Sequence, residues 1–168
     1  EEGGYHHYAT YLKRQIQVEA EEKVPEGKMA KLLYDMYQPD CAKYAEESDV
    51  PQIYELLLEN FDLQADHIPS EDDLLQIVKE KEVMIYKIGD KIECFFIYRR
   101  EGKKLYCAFS YNHASADILY SIERRVKEIE YEENDIKMHY AWFNAENKKA
   151  LRRNAWKDTK IRDYIFVK

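Results

Sequence analysis

Residues 104–129 read KLYCAFSYNHASADILYSIERRVKEI, and the fold turns on how this stretch divides. KLYCAFSY is rich in aromatic and small apolar residues, as a strand is. From Ile118 the pattern changes period, and Ile118, Ile122, Val126 and Ile129 fall on one stripe of a charged helix. Between them NHASAD makes a short polar turn. A strand running through such a turn into a helix N-terminus is a phosphate-binding geometry, because the first N–H groups of the helix are unpaired and its dipole favours an anion. Turns of that kind normally carry glycine, which lets the backbone approach a phosphate closely. This one has Ala114, Ser115 and Ala116, and no glycine or proline occurs anywhere after Gly102. Amides from about His113 to Asp117 can still form an anion nest, since only positive φ is closed to alanine. The other reading is an ordinary strand-to-helix turn capped by Asn112 or Ser115.

Upstream, the punctuation predicts an antiparallel meander. EVMIYKI and KIECFFIYRR flank Gly89-Asp90, a two-residue hairpin signal, and Glu101-Gly102-Lys103 turns into the next strand. Earlier still, CAKYAEESD reads as a short strand ending at a helix cap. VPQIYELLLENF follows as a helix with Val50, Ile53, Leu57 and Phe61 on one side. Ser70 then caps a second helix whose first turn carries Glu71, Asp72 and Asp73. Downstream, DIKMHYAWF reads as a strand, NAENKKALRRNAW as a helix and DYIFV as a last strand. From residue 41 the predicted order is β-α-α-β-β-β-α-β-α-β, an α+β protein with a mixed, mostly antiparallel sheet flanked by helices. Residues 5–15 (YHHYATYLKRQ) read as helix, 16–24 as an edge strand and MAKLLYDMY as another helix. Residues 1–40 thus form a helix-strand-helix extension ahead of a domain over 41–168.

Composition limits the function. At 168 residues the chain suits one domain with an appended element. Net charge is −7 and the isoelectric point about 5.3, which argues against a nucleic-acid partner. Mean hydropathy is −0.72 and no apolar run approaches the ~20 residues of a membrane span, so no membrane association is expected. Cys41, Cys94 and Cys107 are odd in number and form no C-x-x-C pair; Cys94 and Cys107 sit in apolar strand-like runs and read as buried thiols, in the reducing cytoplasm. The opening EEGGYHH has no Met, so the chain reads as a piece of something longer. His6 and His7 are adjacent and diverge, and no zinc-type spacing is present. A G-x-S-x-G elbow is absent.

The element order, with several local strings, resembles the GNAT superfamily of N-acetyltransferases. KYAEESDVPQIYELLLENFD is similar to the family's opening strand and first helix. AWFNAENKKALRR is similar to its fifth strand and the Asn-x-x-Ala segment, here Asn147 to Ala150, that begins the last helix. DTKIRDYIFVK is similar to its closing strand. The resemblance covers about 41–168, and residues 1–18 faintly resemble the end of a preceding domain of the same kind. It implies acetyl-CoA or another acyl-CoA as cofactor and an amine, free or on a peptide, as acceptor.

In that family a Q/R-x-x-G-x-G/A turn holds the cofactor's pyrophosphate. Its three signature positions fall on Tyr111, Ala114 and Ala116, so only the last conforms. The resemblance places cofactor contacts on Tyr111, Asn112, His113, Ala114, Ser115, Ala116 and Asn147. The Tyr that often protonates the CoA thiolate is replaced by Asn154 in Asn154-Ala155-Trp156. Each remaining candidate has two readings. Glu93 is either a general base beside the central cleft or an outward-facing strand residue next to Lys91. His113 is a phosphate contact, a base or a loop histidine. Tyr140 and Trp142, with Tyr111, line an acceptor groove or pack the core. Lys148, Lys149, Arg152 and Arg153 make a solvated basic face or meet a 3′-phosphate. Two functions follow: an acyl-CoA-dependent N-acyltransferase with an altered cofactor turn, or a non-catalytic GNAT-like domain that binds a ligand or packs against a sister domain or a second copy.

Overall fold

Gly89 and Gly102 take φ of +60° and +61°, each opening a two-residue loop between antiparallel strands, and from these hairpins the sheet is built. The computed structural model describes residues 2–17, 26–152 and 156–168. The strands are β1 (His6–Gln17), β2 (Lys43–Tyr44), β3 (Val83–Ile88), β4 (Lys91–Glu101), β5 (Lys104–Asn112), β6 (Met138–Asn144) and β7 (Lys157–Val167). The helices are α1 (Lys28–Asp35), α2 (Val50–Asn60), α3 (Glu71–Lys79), α4 (Ala116–Asn134) and the single turn α5 (Lys148–Leu151). One seven-stranded sheet results, in the order β2-β3-β4-β5-β6-β1-β7, antiparallel except between β5 and β6.

The expected helix over 5–15 is instead the strand β1. It lies inside the sheet, pairing with β6 on one side and β7 on the other, so β7 joins the sheet through β1. The cause is non-local. Leu12, Arg14 and Ile16 alternate with Tyr11, Lys13 and Gln15, and the two neighbouring strands give each set a face to cover. The rest of the expected edge strand, residues 18–24, lies outside the described residues, as does Asn154.

Two apolar layers sandwich the sheet. On the first face Val50, Ile53 and Leu57 of α2 and Leu74, Ile77 and Val78 of α3 pack on Ile85, Phe95, Ile97 and Phe109. On the second face Ile118, Ile122 and Val126 of α4 pack on Cys94, Phe96, Tyr98 and Leu105. The stripes read from sequence are therefore the buried stripes. α1 lies against α4: the Arg124 guanidinium stacks on Tyr34 and Tyr37, 4.3 and 4.0 Å from the ring centres. Tyr37 donates to Glu128 Oε2, and the Gln38 amide donates to Ser121 Oγ at 3.0 Å.

Candidate functional site

β5 and β6 are paired only from Lys104 to Tyr106 against Met138 to Tyr140. Beyond that, β5 stays on β4 and β6 stays on β1, and their facing edges separate. The separation begins where β5 is bulged. Its register against β4 passes from Cys107↔Tyr98 to Phe109↔Ile97, leaving Ala108 unopposed and the strand bent just past its last contact with β6. The bulge also resets the alternation: Cys107 faces α4, while Ala108 and Phe109 both pack on the α2–α3 side.

The wedge is a cavity of about 770 Å³. Its closed end is sealed by Tyr106 stacked on Tyr140, with ring centres 5.0 Å apart. The Tyr140 hydroxyl lies 2.8 and 2.6 Å from the two Glu101 carboxylate oxygens. Burial and then Glu101 push the Tyr140 phenol up, so it stays a hydrogen-bond donor at neutral pH. The walls differ by face. On the first face stand Tyr11, Phe61, Asp66, His67, Trp142 and Asp163; on the second stand Cys107, Glu123, Lys127, Phe143, Lys149 and Trp156.

The first-face acids are held by β1 and the segment after α2. Tyr11 donates its hydroxyl to Asp66 Oδ1 at 2.5 Å, and the Asp62 amide donates to Asp66 Oδ2 at 2.6 Å. Burial, then this hydrogen bond, raises the Tyr11 pKa, so Tyr11 is a donor and not a base. His67, with φ of +50°, turns the chain so that its Nε2 lies 3.9 Å from Asp163 Oδ2. Asp163 is the cross-strand neighbour of Tyr11. On the second face Arg14 of β1 donates to the Leu151 carbonyl at 3.0 Å and to the Trp156 carbonyl, which ties the α5 segment to the sheet.

The strand-turn-helix over 110–120 forms as expected, with α4 starting at Ala116 on the second face. Two of its amides are used internally. Ala114 donates to Asn112 Oδ1 at 3.0 Å, and His113 donates to the Glu93 carbonyl at 2.7 Å. The amides of Ser115, Ala116 and Asp117 begin α4 and, among the described residues, make no bond. The Asp117 carboxylate is turned away: buried, it accepts from Gln38 Nε2 at 3.1 Å.

Of the residues singled out from sequence, Trp142 and Asn147 line the cavity. Asn147 caps α5, accepting the Ala150 amide at 3.1 Å. Tyr140 lies beneath the cavity floor, and Tyr111 stacks on Phe95 in the first-face core. Glu93 is outside the lining, 3.3 Å from Lys91 Nζ, and so are residues 112–116. Lys149, of the basic face read from sequence, also lines it, whereas Tyr11, Asp66, His67, Asp163 and Glu123 are not among the residues the sequence singles out. Alternation within TYLKRQIQ was the signal for Tyr11, since a strand there puts Tyr11 and Lys13 on one face.

The chain has the fold of the GCN5-related N-acetyltransferases. It superposes on such an enzyme from Sphaerobacter thermophilus with TM-score 0.62 and 16% identity, covering 97% of this chain and 52% of that one. Another from Anabaena variabilis gives TM-score 0.59, 10% identity and coverage of 97% and 41%. A conserved protein of unknown function from Staphylococcus epidermidis gives 0.61, 7%, and 97% and 62%. The chain thus spans about two to three fifths of these structures. No protein-family model matches the sequence, and no curated protein is significantly similar to it. Among the described residues no helix is long and apolar enough to cross a membrane.

Proposed function

We propose that this protein is a cytoplasmic acyl-CoA-dependent N-acyltransferase acting on an amine. The observation that carries the reading is the wedge between β5 and β6. Among the described residues the two strands are laddered to each other only as far as Tyr106 and Tyr140, and beyond these each is laddered on its outer side, so the edges facing the wedge are open to a further strand. An extended arm bearing amide groups fits there as an added strand would, which suits the pantetheine arm of CoA. The free amides of Ser115, Ala116 and Asp117 at the α4 N-terminus suit its diphosphate, and Lys149 on α5 adds positive charge on the same face. Acyl-CoA, when bound, supplies a thioester whose C–S bond is exchanged for a C–N bond, one proton leaving nitrogen and one reaching sulfur. The protein's part is to orient the arm by its strand edges. Phe143 and Trp156 exclude water on one face, and the other is left to the acceptor.

Calorimetry with acetyl-CoA and longer acyl-CoAs tests this. Binding tighter than about millimolar is expected, weakened by Ala116→Glu, which sets a carboxylate at the diphosphate position. Absence of binding by every acyl-CoA would end the reading. The second reading, a non-catalytic domain that packs against a sister domain or partner, draws on one observation. The amides of His113 and Ala114, which a cofactor turn would offer to phosphate, are already bonded within the protein.

A further inference from the structure

We propose that the acceptor is a primary alkylamine with no carboxylate beside it, captured as its ammonium at the first-face mouth of the wedge between Asp66 and Asp163 and giving one proton to water before its nitrogen can attack. This rests on the acyltransfer reading and names the substrate class of that same cavity. The mouths have opposite chemistry. Toward α4 and α5 the lining carries Lys127, Lys149 and Glu123; toward the α2–α3 segment it carries Asp66 and Asp163, with His67 the basic group. α4 begins on the second face, so a diphosphate at its N-terminus fills that side and leaves the acidic mouth for the acceptor.

The acidic mouth is positioned for a cation. Asp66 is fixed by the Tyr11 hydroxyl on one oxygen and the Asp62 amide on the other, and a carboxylate so held keeps further lone pairs for an ammonium. Asp163, 45% exposed, stands opposite Tyr11 and meets His67 at 3.9 Å. Trp142 lines the wedge between these acids and the closed end, giving the alkyl chain of the amine an apolar wall. An acceptor bearing a carboxylate next to its amine would set that charge against Asp66 and Asp163. Lys13, the first-face cation on β1, is held toward the sealed end: its Nζ lies over the Tyr140 ring, 4.5 Å from the centre, and 6.0 Å from the centre of the Trp142 ring.

The test is the indole N–H signal of Trp142, assigned by Trp142→Phe and followed in the whole chain without cofactor. n-Pentylamine should shift it saturably, while glycine and pentanoate should not at equal concentration. Asp66→Asn should weaken the amine at least about tenfold. Because Asp66 also anchors Tyr11, the exposed Asp163→Asn is the second variant, expected to weaken it several-fold with an unchanged melting curve. Glycine or pentanoate acting as well as pentylamine, or no effect of Asp163→Asn, overturns the proposal. If acyl-CoA binds by calorimetry and pentylamine does not, this inference fails and the acyltransfer reading stands. If pentylamine binds and no acyl-CoA does, the acyltransfer reading fails and the amine's role as acceptor falls with it, leaving an amine-binding site.

Discussion

Tyr11 and Asp66, 55 residues apart in sequence, meet at the wedge through a hydrogen bond of 2.5 Å from the phenol to Oδ1. The pair couples the first strand to the segment that follows α2, and both residues line the cavity. Tyr11→Phe removes the donor while keeping the ring. It should lower stability by about 1 kcal/mol, the net worth of a half-buried hydrogen bond, read as a lower urea midpoint at unchanged slope.

β1 bears on stability as an inner strand. Leu12 pairs with Phe143 of β6 and with Arg162 of β7. A proline there breaks a ladder with a strand on each side, so Leu12→Pro should cost about 3 kcal/mol or more. Lys157→Pro, at the first residue of edge strand β7, should cost a small part of that. Thermal melts of the two variants compare them directly, and equal losses would mean β1 is not an inner strand.

Acid stability should depend on Asp49. Burial by itself raises the pKa of this carboxyl, but the ammonium of Lys87 and the Glu46 amide, at 2.8 Å, outweigh it and hold the value below the ordinary range. A depressed folded pKa contributes stability above the unfolded value of about 4, and that contribution is lost as pH falls through the folded value. Asp49→Asn should therefore be less stable than the parent at pH 7, with the difference shrinking below about pH 4. Urea midpoints between pH 7 and pH 2 measure it.

The thiols should separate by burial. Cys94 is fully buried and its pKa is pushed up to about 12, chiefly by desolvation. Cys41 is partly exposed, and so is Cys107, which the sequence reads as buried but which the opening of the wedge leaves in its lining. Iodoacetamide on the native protein should label Cys107 and Cys41 and spare Cys94 until denaturant is added, as mass spectrometry of the peptides would show.

How much of this was legible in the sequence depended on range. Gly89, Gly102, the Ser70 cap and the stripe of Ile118, Ile122 and Val126 are local signals, and each element they announced is present. Residues 5–15 read as helix because Tyr5, Tyr8 and Tyr11 recur at the three-residue spacing of a helix face, and only contact with β6 and β7 selects the strand. The C-terminal helix expected over 144–156 is one turn, Lys148–Leu151, among the described residues. The site was legible at Trp142, Asn147 and Lys149, which sit on elements that were recognised. The bulge at Ala108, which opens the wedge, carries no glycine to mark it. Asp66 and Asp163 become neighbours of Tyr11, one by its hydroxyl and one by cross-strand register, only once β1 is a strand.

The central claim is that the wedge edges of β5 and β6 take an acyl-CoA arm as an added strand would. Amide hydrogen exchange, with and without a saturating non-hydrolysable acyl-CoA thioether, tests it most directly. The account predicts new protection in residues 107–111 of β5 and 141–144 of β6, together with Ser115, Ala116 and Asp117. Exchange unchanged in both strands, or protection gained only elsewhere, would contradict it.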